Sequence, residues 1–97
     1  MKHATVIRAS ALEAADEAFH WYEAQRPGLG SRFKDLLAQT VERIAGMPLS
    51  YPEVEQGVRR ALVPVLKYRV FYLFEDRRVV VIGIYHPARD VSPMGRH

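Results

Sequence analysis

Two stretches with helical periodicity, residues 10–25 and 31–45, are separated only by the connector RPGLG. Pro27 disfavours helix at Arg26, and Gly28 permits a turn. A break this short leaves the two helices antiparallel neighbours in a hairpin. The first helix is expected to open at Ser10, three residues before Glu13, which is the spacing of a capping box. Leu12, Ala15, Phe19 and Tyr22 then recur at helical spacing, and Ala11, Ala14 and Ala18 allow a neighbour close approach. The second helix, starting at Gly30 or Ser31, carries an apolar stripe of Phe33, Leu36, Leu37, Val41 and Ile44, completed by Thr40. Arg32, Lys34, Asp35, Gln39, Glu42 and Arg43 cover its outside, and Gly46 and Pro48 end it. Each buried member of the stripe contributes about 1.5–3 kcal/mol, so the hairpin must dock on something.

The remaining segments supply that platform. HATVIR (3–8) is a short strand candidate, 46–57 a proline-containing loop, and VRRALV (58–63), LKYRVFYLF (66–74) and VVVIGIYH (79–86) are further strands. The tight EDRR connection (75–78) pairs the last two antiparallel. The order is β-α-α-β-β-β, an α+β domain spanning 1–97 with a helical hairpin on one face of a small, mainly antiparallel sheet. The position of the first strand in that sheet is left open. In the longest strand, alternation puts Leu66, Tyr68, Val70, Tyr72 and Phe74 on one face, and Lys67, Arg69, Phe71 and Leu73 on the other.

Composition narrows the function. Ninety-seven residues suit one domain, and the absence of cysteine removes disulfides, thiolate metal sites and thiol catalysis. A reducing cytoplasm fits that absence. No apolar run approaches the roughly 20 residues that cross a bilayer, and the stretch before Arg8 is too short for a signal peptide. No cofactor loop, serine elbow or zinc ribbon occurs, and His3, His20 and His97 are too scattered for a metal site. Charge is uneven: residues 1–55 hold 6 Lys/Arg and 8 Asp/Glu, whereas residues 56–97 hold 8 and 3. The second half therefore presents a cationic surface, suited to nucleic acid or to an acidic protein segment.

Taken together, these residues resemble the RelE/ParE superfamily of bacterial toxins from type II toxin–antitoxin, or plasmid-stabilisation, modules. The resemblance runs through A-x-x-E (Ala14 to Glu17), WYEAQ, RPGLGSRF, MPLSYPEV, VRRALV, YRVFY, VVVIGIYH and a terminal H-x-x-R-D. PGLG-x-x-F and H-x-x-RD are typical of the ParE branch, which is therefore favoured. The superfamily's fold is the one derived above. Its RelE branch cleaves messenger RNA on the ribosome, whereas characterised ParE members poison DNA gyrase and lack the nuclease residues. An antitoxin encoded beside the toxin neutralises either.

The resemblance implies two uses for the charged residues. In a RelE-like nuclease, Arg69 would stabilise the negative charge that builds on the cleaved phosphate, joined by Lys67 and Arg89. His86 would be the base, since arginine stays protonated. In a ParE-like gyrase inhibitor these are surface cations, solvated when free and covered by acidic antitoxin side chains when bound, and His86 is a structural residue at a strand end. The tail VSPMGRH has no aromatic to stack on a base, which argues against the nuclease. Candidate contacts for partners or nucleic acid are Trp21, Arg60, Lys67, Arg69, Arg89 and Arg96. Arg59 and Arg60 point to opposite faces, so one joins the cationic patch and the other guards a sheet edge against aggregation. A degenerate, non-toxic member that only binds antitoxin is a further alternative.

Overall fold

The computed structural model describes residues 2–86. The chain runs β1 (Ala4–Ile7), α1 (Ala9–Gln25), α2 (Leu29–Gly46), β2 (Glu53–Glu55), β3 (Val58–Leu62), β4 (Arg69–Glu75) and β5 (Arg78–Tyr85). The five strands form one sheet in the order β1-β5-β4-β3-β2. β1 lies parallel to β5, and every other pair is antiparallel. The expected helix hairpin on a mainly antiparallel sheet is therefore present, and the open question of the first strand is answered: it pairs with the last.

The segment 46–57, expected to be loop, contributes the three-residue edge strand β2. Gly57, with φ of 78°, supplies the left-handed position that folds β2 onto β3. Its N–H donates to the Glu53 carboxylate at 2.8 Å, which ties the turn. The start of α1 also differs from expectation. Arg8, not Ser10, is the N-cap, and no side chain caps the helix. The reason lies in the sheet: the Arg8 N–H donates to the Val81 carbonyl, so the turn into helix is fixed where β1 stops. The Arg8 carbonyl then accepts from Ala11 and Leu12, leaving Ser10 inside the first turn and no capping box.

That start also sets which face of α1 is buried. The buried residues are Ala11, Ala18 and Tyr22, whereas Leu12 is 54% exposed. Ala11 and Ala18, read as contact points, form the core face together with Tyr22 of the expected stripe; Ala14, Ala15 and Phe19 pack against it, and Leu12 lies on the exposed flank. On α2 the expected stripe holds: Phe33, Thr40 and Ile44 are buried, with Leu36 and Leu37 packed beside them. The Thr40 hydroxyl donates to the Leu36 carbonyl at 2.9 Å, which satisfies it within the helix. These side chains meet Val70, Tyr72, Val79 and Val81 of the sheet in one core.

Glu23 fastens the hairpin. Its carboxylate accepts from the N–H groups of Gly28 and Gly30, each at 2.9 Å, so α1 provides the cap for the free N–H groups and positive end of α2. Gly28 takes the left-handed φ of 90° that the turn requires. At Gly30 a Cβ would sit 2.6 Å from the Phe19 carbonyl oxygen, so no other residue allows this approach of the two helices. Lys34 reaches back over the Phe19 ring, 4.4 Å from its centre.

β4 is shorter at its start than the period-two pattern suggests. Val65 and Lys67 have φ of 73° and 62°, so 64–67 is a tight connection and not strand. The alternation nonetheless carries through, because Leu66 and Tyr68 still reach the core alongside Val70, Tyr72 and Phe74. The β4–β5 hairpin closes through Asp76 and Arg77, both at positive φ, with Glu75 opposite Arg78. That is the backbone of a type I′ turn, whose twist matches the flanking strands. Register then shifts: Tyr72 faces Val81 and Phe71 faces Gly83, leaving Ile82 as an extra residue in β5.

Candidate interaction surface

The helices occupy one face of the sheet, so the residues alternating with Val70, Tyr72, Val79 and Val81 form the other. Register arranges them in rows across the strands. Leu62 stands opposite Arg69, which stands opposite Tyr85. Arg60 stands opposite Phe71, which stands opposite Gly83. Leu73 stands opposite Val80, which pairs with Val6 of β1. Arg60 and Arg69 are thus diagonal neighbours, with Cβ atoms roughly 7–8 Å apart by sheet geometry. Leu62 is 55% exposed and Val6 42% exposed, so the rows end in uncovered aliphatic side chains.

The middle of this face is built around Gly83. A Cβ there would run into the Tyr85 ring, which leans along its own strand over the glycine. The ring comes to 5.8 Å from that of Phe71, centre to centre, and Phe71 is buried. This is an aromatic covering a glycine on a sheet surface, and it leaves Tyr85 itself half-buried.

Arg69 lies beside this lid. Its Nε is buried and has no hydrogen-bond partner. Ion pairs of the described residues join Lys2 to Glu42, His20 to Asp16 and Arg59 to Glu53, and none involves Arg60, Arg69 or Arg78. Arg78 belongs to the same face, and the acids of the described residues on it are Glu75, its cross-strand neighbour in the hairpin, and Glu55, which stands opposite Val58. The described face is therefore cationic and partly apolar, with one guanidinium donor shielded from water and unsatisfied.

The residues expected to serve a nuclease are not brought together. Arg69 alternates with Val70 and so leaves the sheet on the helix-free side. His86 goes to the other side: its ring is 4.8 Å from that of Tyr68 and 6.5 Å from that of Tyr22, in the aromatic cluster beneath the helices. Lys67 is exposed in the left-handed turn before β4 and does not share a strand face with Arg69 as expected. Arg89 and Arg96 lie outside the described residues. Trp21 is 42% exposed on α1 and meets the Tyr22 ring edge-on at 5.1 Å.

Arg59 was expected as one member of a pair split between patch and sheet edge. β3 is not an edge strand, because β2 covers it, and Arg59 points inward to the proline loop. Its guanidinium donates to the Tyr51 carbonyl at 2.6 Å and lies 3.7 Å from Glu53. Arg60 takes the opposite, exposed face. The sequence signal for the Arg59 role was the alternation itself; the loop carbonyls it meets carry no sequence signature.

Two buried phenols are shifted. Burial pushes Tyr22 up to about 12, with Tyr68 adding to the effect. Burial likewise pushes Tyr72 up to about 12 against the opposing pull of the Arg59 charge, and its hydroxyl donates to the Pro48 carbonyl at 2.6 Å.

Comparison with known proteins bears on the family and the fold. A family model described as the ParE toxin of type II toxin–antitoxin systems, parDE, matches residues 6–91. No curated protein matches the chain. Among solved structures, a chain of the "Chromosomal ParDE TA system from P. aeruginosa" superposes with a TM-score of 0.72. It is 13% identical, and the match covers 88% of this chain and 96% of that one. At that identity the likeness is one of fold.

Proposed function

This chain belongs to the ParE toxin family of type II toxin–antitoxin systems, and from that premise we propose that it arrests growth in the cytoplasm by binding and poisoning DNA gyrase, with a cognate antitoxin neutralising it. It acts on this reading as a binding protein and not as a nuclease. The observation that carries the distinction is the separation of Arg69 from His86 by the thickness of the sheet. Cleavage by a ribose 2′-hydroxyl needs a base within hydrogen-bond reach of that hydroxyl and a cation on the same phosphate. A base packed among Tyr22 and Tyr68 and a cation on the far face do not meet on one phosphate. What remains is a surface of fixed cations and exposed aliphatics, which is the material of a protein contact.

Supercoiling assays with purified protein test the target. Loss of supercoiling and accumulation of cleaved DNA are expected as the chain is added to gyrase. Undiminished gyrase activity at saturating protein rejects gyrase, and RNA ends mapped to translated codons after induction would replace the reading with ribosome-dependent cleavage.

A further inference from the structure

The two edges of the sheet are built differently. β2 is three residues long, irregular in register and carries Glu53 and Glu55, all features that discourage a further strand. β1 has neither charge nor proline and pairs with β5 in unbroken register, and nothing among the described residues pairs with its outer side. We propose that this edge pairs with a second copy of the same chain, antiparallel about a two-fold axis at Val6, joining two five-stranded sheets into one. The proposal goes beyond the toxin reading and does not rest on it.

The backbone fixes the register. The Arg8 N–H donates to the Val81 carbonyl, so by alternation Ala4, Val6 and Arg8 turn their backbone groups toward β5. His3 faces the other way, but its N–H is taken by the Ala45 carbonyl at the end of α2. Thr5 and Ile7 are left, each turning an N–H and a carbonyl to the free edge. An axis at Val6 sets Thr5 opposite Ile7 of the second copy and Ile7 opposite its Thr5, which satisfies those groups on both chains. Val6, 42% exposed, then meets Val6 of the second copy at the closest spacing of an antiparallel pair, about 4.5 Å between Cα atoms. On the helix side, Ile7 of the second copy comes over the groove that Thr5, Leu12, Leu37 and Val41 line. Leu12 is exposed and Leu37 and Val41 are half-buried, so the pairing removes apolar surface from water.

Charge and position favour this occupant. Around the groove, Lys2 and Lys34 are matched by Asp35 and Glu42, so it exerts no net pull on a nucleic acid or a strongly charged peptide. Two copies meeting across the axis meet without net repulsion, and Arg8 comes opposite Ala4 of the second copy and not another cation. The described chain leaves the sheet elsewhere. β1 stops at the level of Val81, and His86, five residues further on, packs against Tyr68 and Tyr22.

Sedimentation equilibrium of the purified full chain, over about a hundredfold range of concentration, is expected to show a reversible monomer–dimer equilibrium. Thr5→Pro removes an edge N–H that β5 does not use, and Val6→Lys sets two charges face to face. Each is expected to weaken the dimer at least about tenfold. Chains carrying Val6→Lys and chains carrying Val6→Glu, poor dimers alone, should associate when mixed, because the axis places residue 6 on itself. The chain has no cysteine of its own, so Val6→Cys should oxidise to a disulfide-linked dimer. Val54→Lys on the β2 edge and Leu62→Ser on the helix-free face should dimerise within about threefold of the natural chain. Circular dichroism and thermal melts of each variant confirm that it is folded, and the Val6 variants decide the matter should Thr5→Pro fail to fold. A natural chain that stays monomeric throughout overturns the proposal. So does a dimer lost in Leu62→Ser but kept in Thr5→Pro and Val6→Lys, or a failure of the mixed Val6 variants to associate. A monomeric natural chain that binds the product of the adjacent reading frame, and loses it in Thr5→Pro, replaces the second copy with a partner's strand. A negative gyrase assay leaves this proposal untouched.

Discussion

Arg59 and Tyr72 stand opposite each other on β3 and β4, and both reach beneath the helices to hold the loop that follows α2. The Arg59 guanidinium donates to the Tyr51 carbonyl and the Tyr72 hydroxyl to the Pro48 carbonyl, both at 2.6 Å. Tyr72→Phe removes one donor and strands a buried carbonyl, so a loss of about 1–3 kcal/mol is expected. Chemical denaturation measures it. Arg59→Met should add less than its own separate cost when combined with Tyr72→Phe, because both residues restrain one segment.

Glu23 is the cap that α2 lacks locally. Glu23→Ala leaves the N–H groups of Gly28 and Gly30 without their acceptor and removes a negative charge from the helix N-terminus. A loss on the order of 1–2 kcal/mol is expected, read as a shift in melting temperature. Glu23→Gln, which keeps an oxygen but not the charge, should lose less.

Tyr22 and Tyr72 make stability sensitive to alkali. Unfolded, their phenols ionise near 10; folded, both are held up to about 12. The native state binds these protons more tightly, so their contribution is complete below pH 10 and is lost as pH rises towards 12. Denaturant midpoints measured from pH 8 to 11.5 should fall across that window. Absorbance titration should show these two phenols ionising above pH 10, together with unfolding.

Gly83 and Tyr85 are coupled by space. Gly83→Ala forces the Tyr85 ring off its seat and uncovers Phe71, so a loss of about 1–3 kcal/mol is expected. In Tyr85→Ala the same substitution should be nearly neutral. A double-mutant cycle on unfolding free energy measures the difference, and additive effects would show that the ring does not occupy this place.

The position of α1 separates what a sequence displays from what it withholds. Hydrophobic spacing drew the stripe of that helix through Leu12, Ala15, Phe19 and Tyr22, with Ala11, Ala14 and Ala18 as positions of close approach. The capping box at Ser10 placed the N-cap two residues later than the real one, Arg8. The outcome was set by the Arg8 N–H bonding to Val81, a contact across most of the chain's length that no local pattern encodes. α2 had no such competitor, since its stripe of large side chains matches a single face. The strands were legible as alternation, and their common face was found even where the 64–67 turn interrupts β4. The candidate site was legible as a set of cations but not as a place. Arg60 and Arg69 share a face, as alternation allows, whereas His86 is carried to the other side one residue past the pairing of Arg69 with Tyr85. β2 was missed because three residues ending a proline-rich loop carry no periodicity.

The parallel pairing of β1 with β5 has a temporal side. Residues 4–7 find their partners only at 78–81, so the sheet stays unfinished until residue 81 has left the ribosome. A nascent chain shorter than this lacks both the completed Gly83–Tyr85 lid and the strand beside it. Such a fragment cannot present the surface that the folded domain offers.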